Sequence, residues 1–189
     1  MAMPEHSHLT NHFLIAMPGL ADPNFFHTVT YICEHSDQGA MGIVINRPME
    51  LQLSDIFEQL EIAVTSPQPS RQPVYIGGPV QGDRGFVLHD SNSVWDSTLK
   101  VTPEISVTTS LDILEAIAAG KGPDKVLVAL GYAGWGSGQL EQELAQNAWL
   151  NGPADSDIIF NRPSQERWRA AAELLGVDLD LLSGEAGHA

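Results

Sequence analysis

Apolar and polar side chains alternate over residues 28–34. Val29, Tyr31 and Cys33 fall on one side, and Thr28, Thr30, Ile32 and Glu34 on the other. A period of two in β-branched and aromatic residues predicts a strand. SDQG (36–39) is turn chemistry, and the apolar run 40–46 follows it, so 28–46 is predicted to be a β-hairpin. Before it, FLIAM (13–17) is a short strand stopped by Pro18-Gly19. After it, Pro48 cannot continue a central ladder. Leu53, Ile56, Phe57 and Leu60 have helical spacing and predict a short amphipathic helix starting near Ser54 or Asp55.

The C-terminal part mixes the two periods. Strands are predicted at 74–76 and 85–89, joined by GGPVQGDR, with a weaker one at 105–108. LDILEAIAA (111–119) is a helix capped by Thr109 and Ser110, with Asp112 spaced for a capping box with Thr109 and Gly120 as its stop. The continuous apolar run Val126–Leu130 predicts a buried central strand. A glycine loop, GYAGWGSG (131–138), leads from it into the helix QLEQELAQ. Ile158–Phe160 is predicted as a short strand, and a last helix runs from Ser164 to Leu175. The chain of 189 residues fits one domain, with residues 1–11 expected to be flexible and 63–73 to form a mobile loop.

Charge narrows the partners. The chain has 24 acidic and 9 basic residues, a net charge of −15 at pH 7, and its arginines are scattered. Affinity for a phosphate backbone comes from Lys and Arg releasing counterions, so no direct nucleic-acid binding is expected. Anionic membrane surfaces are disfavoured for the same reason. The polar N-terminus lacks a basic leader, and the single cysteine can form no internal disulfide, which points to a cytoplasmic location.

Four features could carry chemistry. Cys33 has His35 two residues on, on the same face of a regular strand at about 6.5–7 Å between Cα atoms. That spacing allows a thiol and its base, and Cys33 with His35 is the candidate catalytic or redox-sensing pair. The apolar company of Val29 and Tyr31 instead suits a buried structural cysteine. The loop 131–138, between a strand and a helix, has the layout of an anion site at a helix N-terminus, but it has neither Gly-Lys-Ser/Thr nor G-x-G-x-x-G. The loop 76–85 carries four glycines that let the backbone approach closely, with Asp83 and Arg84 adjacent. The histidines have no metal-ligand spacing on any predicted element, and no cofactor is expected. The candidate binding surface is therefore made of Gly77, Gly78, Asp83 and Arg84 with Gly131, Tyr132, Gly134, Trp135 and Gly136. Trp135, between two glycines, is expected to reach a partner.

Taken together, HFLIAMP, DPNF, VTYICEH, GAMGIVINRP, GGPV, DRGFVLH, SLDILEAIAAG, GYAGWGSGQLEQEL, NAWL and EAGHA resemble the YqgE/AlgH family of bacterial proteins, over nearly the whole chain. The family brings no catalytic motif. The resemblance implies an α+β fold in which a strongly bent mixed sheet forms a pseudo-barrel with helices packed outside. The resemblance also implies a regulatory role, that of a transcriptional regulator of the alginate-biosynthesis type. With the acidic composition, this points to a non-enzymatic binding module for a protein partner or a small ligand, with a Cys33 thiol sensor as the alternative.

Overall fold

The computed structural model describes residues 8–66 and 72–182. The following strands and α-helices lie among these residues. They are β1 (His12–Ala16), β2 (Val29–Ser36), β3 (Gly39–Val44), β4 (Pro48–Gln52), α1 (Leu53–Gln59), β5 (Pro73–Ile76), β6 (Val80–Asp90), β7 (Thr98–Lys100) and β8 (Ile105–Thr108). They continue with α2 (Leu111–Ala118), β9 (Val126–Gly136), α3 (Gln139–Ala145), β10 (Trp149–Pro153), α4 (Ser156–Phe160) and α5 (Arg167–Glu173). The main path of the sheet is β10-β1-β2-β3-β9-β6-β8-β7, with β4 and β5 branching from β9. All pairings are antiparallel except β5 with β9. The result is a single domain in which a curled, largely antiparallel sheet forms a half-barrel with helices packed against it.

The long strand β9 is the pivot. Its first half pairs with β5 on one side and β6 on the other, and its second half turns to pair with β3. The change of partner falls at Gly131, whose φ of 80 is in the left-handed region. Two further irregularities add bend and twist, one in β2 between Ile32 and Glu34 and one in β6 between Val80 and Gly85.

Three apolar clusters follow from the curl. Phe13, Tyr31, Cys33, Phe86 and Leu88 pack with Trp168 and Ala171 of α5. Trp168 Nε1 donates to the Ala16 carbonyl at 2.9 Å, which ties α5 to β1. Leu53, Ile56 and Phe57 of α1 meet Ile113 and Ile117 of α2 over Val74, Val87 and Val128. Leu140 of α3 packs with Leu14, Ile32, Ala133, Trp135 and Trp149.

Several expected elements change. The expected loop 131–138 is strand to Gly136, because pairing with β3 satisfies its backbone. Ile158–Phe160 is helical, since the Asp155 carboxylate caps α4 by accepting from the Asp157 and Ile158 amides. Of the two expected capping residues, Ser110 is the N-cap of α2, and its hydroxyl donates to Asp112 Oδ1 at 2.6 Å. The last helix begins with a 3-10 turn at Ser164–Glu166 and its α-helical part ends at Glu173. Strands β4, β7 and β10 were absent from the expected set. Within the expected mobile loop 63–73, the Thr65 and Ser66 amides both donate to the Ala118 carbonyl, Pro73 opens β5, and residues 67–71 lie outside the described residues. Of the expected flexible stretch 1–11, residues 1–7 also lie outside them, while Leu9 is buried and the Asn11 amide bonds the Ile32 carbonyl.

Candidate functional site

The irregularity in β2 answers the question of Cys33. Ile32 pairs with Gly42 and Glu34 with Met41, so Cys33 is the extra residue of a β-bulge. A bulge puts two successive side chains on one face and reverses the alternation beyond it. Cys33 stays with Tyr31 in the core, Glu34 follows it to the concave side, and His35 turns to the opposite face. The thiol is 2% exposed, and burial pushes its pKa far up. Its Sγ makes one long contact, donating to the Tyr31 carbonyl at 3.9 Å.

His35 is engaged elsewhere. Its Nδ1 accepts the Leu9 amide at 2.8 Å, and Nε2 lies 3.0 Å from Glu141 Oε2 on α3. An acceptor at Nδ1 puts the proton on Nε2, which donates to the carboxylate. The expected Cys33–His35 pair is therefore corrected: one buried thiol and one buried imidazole sit on opposite faces of the same strand.

The two glycine-rich segments do meet. Val80 pairs with Tyr132 and Gly85 with Leu130, so residues 81–84 loop out of β6 opposite Gly131. A Cβ on Gly78 would lie 2.1 Å from the Tyr132 carbonyl carbon, and one on Gly77 2.3 Å from the Gly131 carbonyl oxygen. Gly77, Gly78 and Gly131 thus form a backbone-on-backbone crossing that only glycine fits. They shape the site without lining it.

The looped segment sends its two charges in opposite directions. Arg84 lines a concave groove of about 800 Å³, while Asp83 faces a separate slot under α1 and α2. A row of positions crosses the groove floor, with Glu34 opposite Met41 and Met41 opposite Gly134. Gly134 supplies no side chain, and the Tyr132 ring lies over that space, 3.3 Å from where its Cβ would stand. Tyr132 packs edge-on against Phe86 at 5.5 Å, and the Arg84 guanidinium sits 5.5 Å above the Phe86 ring. Arg84 Nη1 donates to Gln81 Oε1 at 3.3 Å. Leu99 of β7, Val107 of β8 and Asp96 also line the groove.

The groove thus has an aromatic and aliphatic floor, a carboxylate on the β2 wall and a guanidinium on the β6 wall. It gathers Arg84, Tyr132 and Gly134 of the sequence-derived set. Gly136 ends β9 opposite Gly39, and its amide donates to Gln139 Oε1 at 2.9 Å. Trp135 borders the groove, but it is 6% exposed and its indole packs on the other face with Leu140 and Trp149. Both indoles are held by Glu143 Oε1 on α3, Trp135 Nε1 at 3.0 Å and Trp149 Nε1 at 2.9 Å. The expectation that Trp135 reaches a partner is therefore corrected to a core role. Glu34, Met41, Phe86, Leu99 and Val107 were not in the sequence-derived set. Their alternation places them on one strand face or the other, but only the curl says which face is the hollow one.

Among the described residues, no group of three or more His, Cys, Asp or Glu side chains is arranged to hold a metal ion. No helix among them is long and apolar enough to cross a membrane.

Comparison with known proteins bears on the whole chain. A family model described as AlgH-like matches residues 13–180. A UPF0301 protein of Thioalkalivibrio sulfidiphilus is 61% identical over 187 residues, covering 99% of this chain and 100% of its own. One from Methylococcus capsulatus is 55% identical over 184 residues, covering 97% and 98%. The solution structure of the AlgH protein from Pseudomonas aeruginosa matches with a TM-score of 0.80 at 55% identity, over 100% of both chains. A crystal structure of a Corynebacterium diphtheriae protein matches at 0.73 and 21% identity, over 93% of this chain and 91% of that one, a likeness of fold alone. The chain belongs to the AlgH-like family.

Proposed function

We propose that this AlgH-like chain is a non-catalytic binding module whose primary site is the concave groove of the half-barrel. The observation that carries the reading is the groove itself, about 800 Å³ of hollow lined by Met41, Phe86 and Tyr132 together with Glu34 of β2 and Arg84 of β6. That volume lies in the range of small-ligand sites, about 300–1,000 Å³, and such sites combine an apolar lining with a few placed polar groups. The arrangement suits a small amphoteric molecule with a flat apolar body. Its acceptor or anionic end would face Arg84, which already stacks on Phe86, and its donor end would face Glu34.

A regulatory role fits this reading if ligand occupancy is passed to a protein partner. The net charge of −15 gives little support to direct contact with DNA. The thiol-sensor alternative is weakened by the burial of Cys33 and by the engagement of His35 with Glu141.

The test is amide chemical-shift mapping of the labelled protein against a library of small amphoteric aromatic compounds. Shifts should cluster at Met41, Phe86, Gly134 and Tyr132, and Arg84→Met should weaken compounds that carry a carboxylate more than their neutral amides. Binding that maps elsewhere, or a library without hits, would sink the reading.

A further inference from the structure

The half-barrel has a second hollow, on the helical side of the same strands. α1 and α2 pack over β6 and β9 but leave a slot of about 340 Å³ between them. Ile56, Leu60, Leu114, Val87, Val128 and Leu130 line it. Ile56, Leu114, Val87 and Val128 also belong to the cluster beneath the two helices, so the slot is a place where that core stays unfilled. Unfilled apolar volume forfeits dispersion contacts, and a dry apolar cavity of even about 150 Å³ takes up apolar molecules. At the mouth, Leu60 is 43% and Leu111 56% exposed, giving an apolar lip rather than a sealed surface.

Asp83 is the one charged residue on the slot's lining, where it stands with the polar Gln59, Thr109 and Ser110. The ion pairs among the described residues are His8–Asp37, His35–Glu141 and Arg169–Asp180, so Asp83 is in none of them. Its neighbour Arg84 is turned to the groove. The slot therefore presents an apolar interior with a single carboxylate at its entrance, inside a strongly acidic molecule. A fatty acid would place its carboxylate against Asp83, whereas a cationic head would neutralise it.

We infer that this slot is a site for the alkyl chain of a small cationic amphiphile, with Asp83 receiving its ammonium head. The inference stands apart from the groove and does not depend on what the groove binds.

The experiment uses the full chain in about 0.15 M salt, where screening confines charge effects to close pairs. The probes are n-octylammonium, n-octanol and octanoate below their micelle concentrations, with ethylammonium as a cation lacking the chain. Octylammonium should bind, with amide shifts at Leu60, Leu114 and Leu130, and octanoate about tenfold or more weaker. Ethylammonium should produce no shifts there. Asp83→Asn should remove the preference for octylammonium over octanol while leaving binding of the chain. Leu130→Phe should fill the slot and weaken all three probes. If that variant does not fold, the probe series and Asp83→Asn still decide. Absence of binding by all three chains, equal binding of octanoate, or shifts centred on Met41 and Tyr132 in the groove would each overturn the proposal.

Discussion

Replacing Glu143 tests how α3 is held to the sheet. One carboxylate oxygen accepts from two indoles, Trp135 at 3.0 Å and Trp149 at 2.9 Å, while the other accepts from Gln139 at 3.1 Å. The tryptophans are 6% and 5% exposed, and their rings meet at 6.2 Å. A hydrogen bond to a charged acceptor contributes about 1.5–3 kcal/mol, and a buried donor left without a partner costs a similar amount. The Glu143 side chain is only half buried, so water recovers part of the loss, and the low end applies to each bond. Glu143→Ala should then cost about 3 kcal/mol, a large share of a typical domain's stability of about 5–15 kcal/mol. Glu143→Gln keeps one oxygen able to accept from both indoles and should cost about 1 kcal/mol. Urea unfolding followed by both tryptophan fluorescence and circular dichroism measures this, with an unchanged m-value as the check on two-state behaviour. A double-mutant cycle with Trp149→Phe should give a coupling of about 1 kcal/mol or more. A loss below about 1 kcal/mol for Glu143→Ala, or an additive cycle, would refute the clamp.

Three further outcomes follow from the packing. Trp135→Ala removes a buried indole and should destabilise by about 3–5 kcal/mol in the same urea assay, where a near-neutral effect would return Trp135 to the surface. Native Cys33 should be alkylated at least about a hundredfold more slowly than in the urea-unfolded chain, and Cys33→Ser should cost about 1–3 kcal/mol; fast native labelling would revive the thiol sensor. Burial holds His89 below its ordinary range, with Nδ1 donating to the Asp90 carbonyl and Nε2 accepting from Thr108. An unfolded histidine takes its proton near pH 6.5, so below that pH the unfolded chain binds more protons than the native one. Stability from this group is therefore complete above about pH 6.5 and lost as pH falls toward the lower native value. Urea midpoints from pH 8 to 5 should fall on the acid side, and His89→Gln should flatten that fall in part, since His27 is also held low by burial.

Much of the secondary structure is readable because it rests on local periodicity. The hairpin of β2 and β3 follows from alternation and the Asp37-Gln38 turn. The helices α1 and α2 follow from apolar spacing, and their buried residues are Leu53, Ile56 and Phe57 in one and Ile113, Leu114, Ile117 and Ala118 in the other. Two of the misreadings share one cause. Gly131–Gly136 has the composition of a loop, and its strand conformation depends on β3, about ninety residues away in sequence. Strand β10 has neither length nor alternation, and is held by β1 across the chain.

The site divides in the same way. The α+β class came from the family resemblance, while composition, alternation and glycine placement determined by themselves that this is an acidic chain mixing strands and helices, with a hairpin, amphipathic helices and two glycine-rich segments. That much is local, since each step needs only neighbours a few residues apart. Tertiary structure alone decided which faces became the groove and the slot. A one-residue bulge at Cys33 moved Glu34 to the hollow side and His35 to the other, and a four-residue excursion opposite Gly131 parted Arg84 from Asp83. A bulge shows only in the register between two strands, and the inside of a half-barrel exists only once the sheet has curled.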